Sequence, residues 1–242
     1  MRFNGLDPRE ISPKIFPARE IIQAIPPRSV RALETANGPL YVASELQQRT
    51  IQVEINVAGS SHENANELVR ELNRVFVTQE PGEFEPTHTP GMALTAILER
   101  AGEMSWQWGF GTVTYEFAAM RPFFHATSET IINFTGARQI EPRGSVQIRP
   151  VIRHTMAAAA ATLTYSLNGV GFFVLRPLSG SFAAGAVLTV DFANRLVAYN
   201  GEAAMVLADY TASTWTPGFI SGSLITVSDA GPTEIRWRDE WM

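Results

Sequence analysis

Cysteine is absent from the 242 residues. Its absence excludes disulfides, thiol nucleophiles, iron–sulfur clusters and zinc sites with cysteine ligands. Lysine is nearly absent too: of the 19 basic residues only Lys14 is a lysine, and the other 18 are arginine. G+C-rich coding accounts for that bias, and interfaces favouring the planar guanidinium fork are the second reading. No block of basic residues exists and the net charge is −5, so a grip on nucleic-acid phosphates is not expected. The start, Met1-Arg2-Phe3-Asn4-Gly5, lacks the apolar core of a signal peptide, and Sec export is not indicated. The longest uncharged stretch, residues 155–175, is interrupted by Thr162, Thr164, Ser166, Asn168 and Gly169. It reads as a hairpin rather than a membrane span, and no membrane insertion is expected.

Catalytic and metal-binding patterns are also missing. The four histidines, His62, His88, His125 and His154, match neither a helical HxxxH pair nor an HxH strand pair, and read as surface or loop residues. Gly109-Phe110-Gly111 and Gly169-Val170-Gly171 lack the third glycine of a dinucleotide-binding turn and precede no helical pattern. There is no GxSxG elbow and no phosphate loop, and the acidic residues form no close pair that strand periodicity aligns. No active site, cofactor or metal is expected, and an enzyme is not indicated.

What is present is a globular composition, 45% hydrophobic and 18% charged, on a chain long enough for two modest domains. Asn-Gly pairs, which suit the positive φ angles of type I′ hairpin turns, occur at Asn4, Asn37, Asn168 and Asn200. The last three lie between strand-like runs. Ile51, Val53, Ile55 and Val57 alternate with Gln52, Glu54 and Asn56, which predicts a half-buried strand over 50–57. Residues 62–77 break the pattern: Leu68, Val69, Leu72, Val75 and Phe76 recur at helical spacing. Ser60 followed by Glu63 suits a capping box there. Leu68, Leu72 and Phe76 are the residues expected to pack this helix onto a sheet.

Residues 80–90, with Pro81, Gly82, Pro86 and Pro90, read as a loop. Met104, Trp106, Trp108 and Phe110 alternate, as do Val113, Tyr115, Phe117 and Ala119, giving a long hairpin that ends at Pro122. The tryptophans offer a platform for sugars, but their alternation favours packing. A boundary is placed near Arg138, where glycine, proline and arginine separate two hairpin-rich halves. Residues 1–138 hold 12 basic and 16 acidic residues, and the remainder 7 and 8. The fold class expected is mainly β: an amino-terminal β domain with one α-helix over 1–138, then a second β domain over 139–242.

In order and spacing, several short motifs resemble the distal tail proteins of long-tailed phages and related tail-like particles. They are Phe3-Asn4-Gly5, the strand leading to Gly59-Ser60 and the helix, Arg121-Pro122-Phe123-Phe124, Leu188-Thr189-Val190-Asp191, Leu196-Val197-Ala198-Tyr199-Asn200-Gly201, Trp215-Thr216-Pro217-Gly218 and Arg236-Trp237-Arg238. The resemblance implies a structural protein of the virion tail tip, assembled in the bacterial host cytoplasm. Its amino-terminal domain would form a hexameric ring, with a galectin-like β-sandwich following it. The partners implied are other copies of the chain, a tail tube protein, a tail-tip hub protein and receptor-binding or peripheral tail proteins. DNA would pass through the ring without specific binding. A polyanion passes most easily through an acidic or neutral lumen, and Glu80, Glu83 and Glu85 are the candidate lumen acids. A solvated outer loop is the plainer reading of the same three residues. The alternative function is a carbohydrate-binding adsorption module that uses the sandwich and the tryptophans.

Overall fold

The computed structural model describes residues 1–35, 38–107 and 109–242. Asn37 of the expected Asn37-Gly38 turn, and Trp108, lie outside the described residues. Two compact units result: Met1–His125 with Met242, and Ala126–Trp241. They part at His125, short of the boundary placed near Arg138. The reason is strand pairing: Thr130–Thr135 pairs antiparallel with Pro232–Trp237, and Ala137–Ile140 with Ser223–Val227. Local glycine and proline content marked a turn between these two strands of the second unit, not a linker.

The first unit is built on one antiparallel sheet. Its strands run in the order Arg2–Phe3, Gly82–Glu85, Met92–Ala101, Phe110–Ala119, Arg49–Ala58 and Ile15–Ile22. Arg49–Ala58 lies deep in the sheet, and its odd-numbered residues Ile51, Val53, Ile55 and Val57 are fully buried. That is the alternation the sequence carries, because successive strand side chains point to opposite faces. The helix His62–Phe76 covers this core with Ala65, Leu72 and Phe76 buried, and Leu68 half-buried against it. The Tyr115 hydroxyl of the sheet donates to Asn73 Oδ1 of the helix at 2.9 Å. The Phe76 ring stands edge-on to Tyr115 and Phe117, with centroids 4.9 and 5.5 Å away. Such edge-to-face pairs contribute about 0.5–1.5 kcal/mol each beyond the area they bury.

Two local expectations need correcting. The helix is capped by Ser61, not Ser60: Ser61 has extended backbone angles and its side chain accepts from the Asn64 amide at 3.2 Å. Position N3 is therefore Asn64 and no capping box forms. The stretch 80–90 is not all loop, since Gly82–Glu85 is a strand paired with Arg2–Phe3 and Met92–Ala101. Phe84 within it is fully buried. Its amino-terminal partner is held by Asn4-Gly5, the one Asn-Gly pair without strand-like flanks: Asn4 and Gly5 take positive φ, and Asn4 Oδ1 accepts from the Glu83 amide at 3.0 Å. A second, four-residue helix, Pro8–Ile11, begins at the cap Asp7. The Arg9 side chain and amide hold the Asp7 carboxyl down to about 2, against the opposing effect of burial.

The second unit is a β-sandwich. One sheet runs Thr130–Thr135, Pro232–Trp237, Val151–Thr155, Val187–Asp191, Leu196–Tyr199, Glu202–Ala203; the other runs Ala137–Ile140, Ser223–Val227, Leu163–Leu167, Val170–Leu175. The hairpins expected at Asn168-Gly169 and Asn200-Gly201 are present with positive φ at all four residues. After the second, the strand Glu202–Ala203 gives way to a short 3-10 turn at Met205–Leu207. Phe172, Phe173, Phe182, Phe192 and Phe219 fill the interior. Among the described residues no helix is long and apolar enough to cross a membrane.

Candidate functional site

Among the described residues one arrangement brings a histidine, a carboxylate and a hydroxyl together. His154 Nδ1 lies 2.8 Å from Thr233 Oγ1, and its Nε2 lies 2.9 Å from Asp229 Oδ1. His154 and Thr233 are buried, at 0% and 1% exposure. The same carboxylate oxygen accepts from the amides of Ala157 and Gly231, both at 2.8 Å. Burial pushes His154 below the ordinary imidazole value, against the pull of Asp229. Burial would raise Asp229, but the two amides and the ring outweigh it and hold the carboxyl low. A neutral ring that donates from Nε2 to Asp229 and accepts at Nδ1 from the Thr233 hydroxyl satisfies every partner. With the ring and the hydroxyl buried and the Asp229 carboxylate at the edge of the core, this triplet joins the Val151–Thr155 strand to the loop before Pro232–Trp237 and serves the fold. The reading of His154 as a surface or loop residue is corrected here: it is a core residue, in phase with the buried Ile152 on the inward face of its strand.

The other histidines are dispersed. His62 packs its ring edge-on to Trp106 at 5.8 Å, His88 is exposed, and His125 Nε2 lies 3.5 Å from Glu83. No group of three or more potential metal ligands occurs among the described residues. Tryptophan faces are used in packing. Trp215 stands edge-on to Phe173 at 4.7 Å, and the buried Trp237 donates from Nε1 to Asp239 at 3.0 Å. Of the four described tryptophans, Trp237 is buried and Trp106, Trp215 and Trp241 are half-buried.

The expected lumen acids have different surroundings. Glu80 and Glu83 are exposed and Glu85 is half-buried, with its Oε1 accepting from the Gly91 amide at 3.0 Å. They do not form one cluster with a shared ligand.

Surfaces suited to assembly are clearer. The edge strand Ile15–Ile22 pairs only with Arg49–Ala58 among the described residues. Pro17 and a register shift after it blunt the first half of this edge, as edge strands commonly are. Beyond it, Arg28–Thr35 and Gly38–Leu46 form a separate two-stranded sheet. A sheet of two strands is marginal in water unless something packs on it, and Ile21, Ile25 and Val30 nearby in sequence are exposed. Sequence periodicity did not separate this hairpin from the main sheet.

Residues 143–241 match the family of siphovirus-type tail component C-terminal domains. No curated protein matches the sequence. The crystal structure of the SPP1 Dit protein, described as a paradigm of the hub adsorption apparatus in Gram-positive-infecting phages, is similar over 99% of this chain and 98% of that one, with a TM-score of 0.82 at 16% identity. A chain of the phage P2 baseplate in its activated, Ca-containing conformation is similar over 93% and 90%, with a TM-score of 0.51 at 9% identity. At these identities the likeness is one of fold. The chain thus has a fold similar to that of the SPP1 Dit protein along nearly its whole length, and its residues 143–241 match the model of siphovirus-type tail component C-terminal domains.

Proposed function

We propose that this protein is a structural subunit of a phage-type tail tip, located in the virion or a tail-like particle and assembled in the host cytoplasm. Six copies form a ring through the first unit. The ring joins the tail tube protein to the tail-tip hub protein, with peripheral or receptor-binding proteins attached around it. The observation that carries this reading is the likeness to SPP1 Dit, which runs through both units with almost no unmatched chain on either side. The separate two-stranded sheet and the edge strand of the first unit support it, because both gain stability when another chain covers them.

DNA passes through the ring without being held, and the excess of acidic over basic residues in 1–138 supports a lumen lined by acidic and neutral side chains. Glu80, Glu83 and Glu85 are its candidate acids. Light scattering and electron microscopy of the purified full chain test the proposal. A ring of six copies of 26.6 kDa, about 160 kDa, is expected. A strict monomer at high concentration, or a ring that binds duplex DNA tightly at physiological salt, would refute the corresponding part.

A further inference from the structure

Arg49 opens the strand Arg49–Ala58 in phase with Ile51, Val53, Ile55 and Val57, so its side chain points to the face where the core lies. It is only 1% exposed. Its guanidinium carbon sits 4.8 Å from the centroid of the Phe124 ring, and burial pushes its pKa down. Nε and Nη2 have no hydrogen-bond partner, and neither does the buried Thr89 Oγ1. All three residues line a cavity of about 240 Å³, whose apolar wall includes Ile22, Pro86 and Phe124. Glu20 also lines it, but its carboxylate is engaged elsewhere: both oxygens accept from the Thr87 amide at 3.1 Å.

An orphaned buried charge is costly, and a cation over one ring recovers only part of that cost. The two unpartnered nitrogens are informative because Nε and Nη2 form one edge of the guanidinium. Their N–H bonds run parallel, at the spacing of the two oxygens of a carboxylate. A third donor, the Thr89 hydroxyl, faces the same space. A mostly apolar wall with one unpaired positive charge, beside a Glu20 carboxylate that is already engaged, suits one negative charge on a short aliphatic stem better than a multiply charged phosphate.

We propose that this cavity is a binding site for a single carboxylate on a short aliphatic stem, docked side-on to the Nε and Nη2 edge of Arg49. Such a group comes either from a free small acid or from a glutamate or aspartate of a second copy of the chain. The proposal does not depend on the tail-tip reading, since a carboxylate site at Arg49 stands or falls whether or not six copies close a ring.

Calorimetric titration of the full chain with sodium butyrate, butyramide and inorganic phosphate tests it, alongside light scattering with and without excess butyrate. Butyrate is expected to bind about 10- to 100-fold more tightly than butyramide, the factor that hydrogen bonds to a charged group supply. Arg49→Met keeps the unbranched stem and removes the fork, and is expected to abolish that preference. The variant should fold, since exchanging a buried unpaired charge for an apolar side chain is neutral or stabilising. If butyrate or Arg49→Met lowers the mass of the assembly, the carboxylate comes from a second copy. If butyrate binds and the mass is unchanged, a free acid is the ligand. Phosphate binding more tightly than butyrate would overturn the proposal. So would butyrate that neither binds in preference to butyramide nor changes the assembly mass.

Discussion

Truncating Leu72 to alanine removes the side chain through which the middle of helix His62–Phe76 enters the core of the first unit. Leu72 is fully buried, so the lost isopropyl group forfeits its whole transfer energy, roughly 2.4 kcal/mol at about 0.8 kcal/mol per carbon. A residual cavity of ~50–100 Å³ adds about 1–2.5 kcal/mol at about 24 cal/mol per Å³. The better helix propensity of alanine returns a few tenths. The expected loss is therefore about 3–5 kcal/mol, or roughly 9–25 °C in melting temperature for a unit of this size. Because the protein has two compact units, calorimetry should place the loss in the transition of the first unit and leave that of the sandwich unmoved. Leu68→Ala, half-buried on the same helix, should cost roughly half as much, and Val77→Ala, 66% exposed, less than about 0.5 kcal/mol. An unchanged first transition in Leu72→Ala, or a larger loss in Leu68→Ala than in Leu72→Ala, would show that the helix does not pack as described.

Ser61→Ala should destabilise the same unit by about 1 kcal/mol and Ser60→Ala by little, because only Ser61 caps the helix; equal effects in chemical denaturation would refute the cap. Gly231→Ala should destabilise the sandwich by about 1–3 kcal/mol or more, since a Cβ there would meet the Thr155 carbonyl oxygen at 1.8 Å; a wild-type melting temperature would refute the close approach. Stability of the second unit should fall as pH drops through the ordinary imidazole value of 6.5, because burial depresses His154 in the folded state and the unfolded chain then binds the extra proton. His154→Gln should flatten the slope of stability against pH between about 5 and 7 relative to wild type, with the other three histidines common to both; identical slopes would refute a neutral buried ring.

The elements legible in the sequence were those whose cause is local. Period-two alternation around Ile51–Val57 reflects the geometry of a single strand, and the helical spacing of Leu68, Leu72 and Phe76 that of a single helix. The Asn-Gly turns follow from backbone preference at two residues. These are properties of a few neighbouring residues, and they hold before any tertiary contact forms.

Tertiary structure decided whatever depends on residues far apart in the chain. Gly82–Glu85 reads as a proline-bounded loop, yet it becomes a strand because Arg2–Phe3 and Met92–Ala101 flank it. The boundary moved from Arg138 to His125 because Thr130–Thr135 pairs with a strand about a hundred residues later. Arg49 and His154 look like ordinary polar residues on strands, though both lie in phase with buried neighbours. The surroundings of Arg49 come from Phe124 and Thr89, and those of His154 from Asp229 and Thr233. Sequence by itself determined which segments prefer strand, helix or turn, since that preference is local and steric. Which edges meet, and which polar groups are buried with or without a partner, was decided only when distant strands paired and closed the two cores.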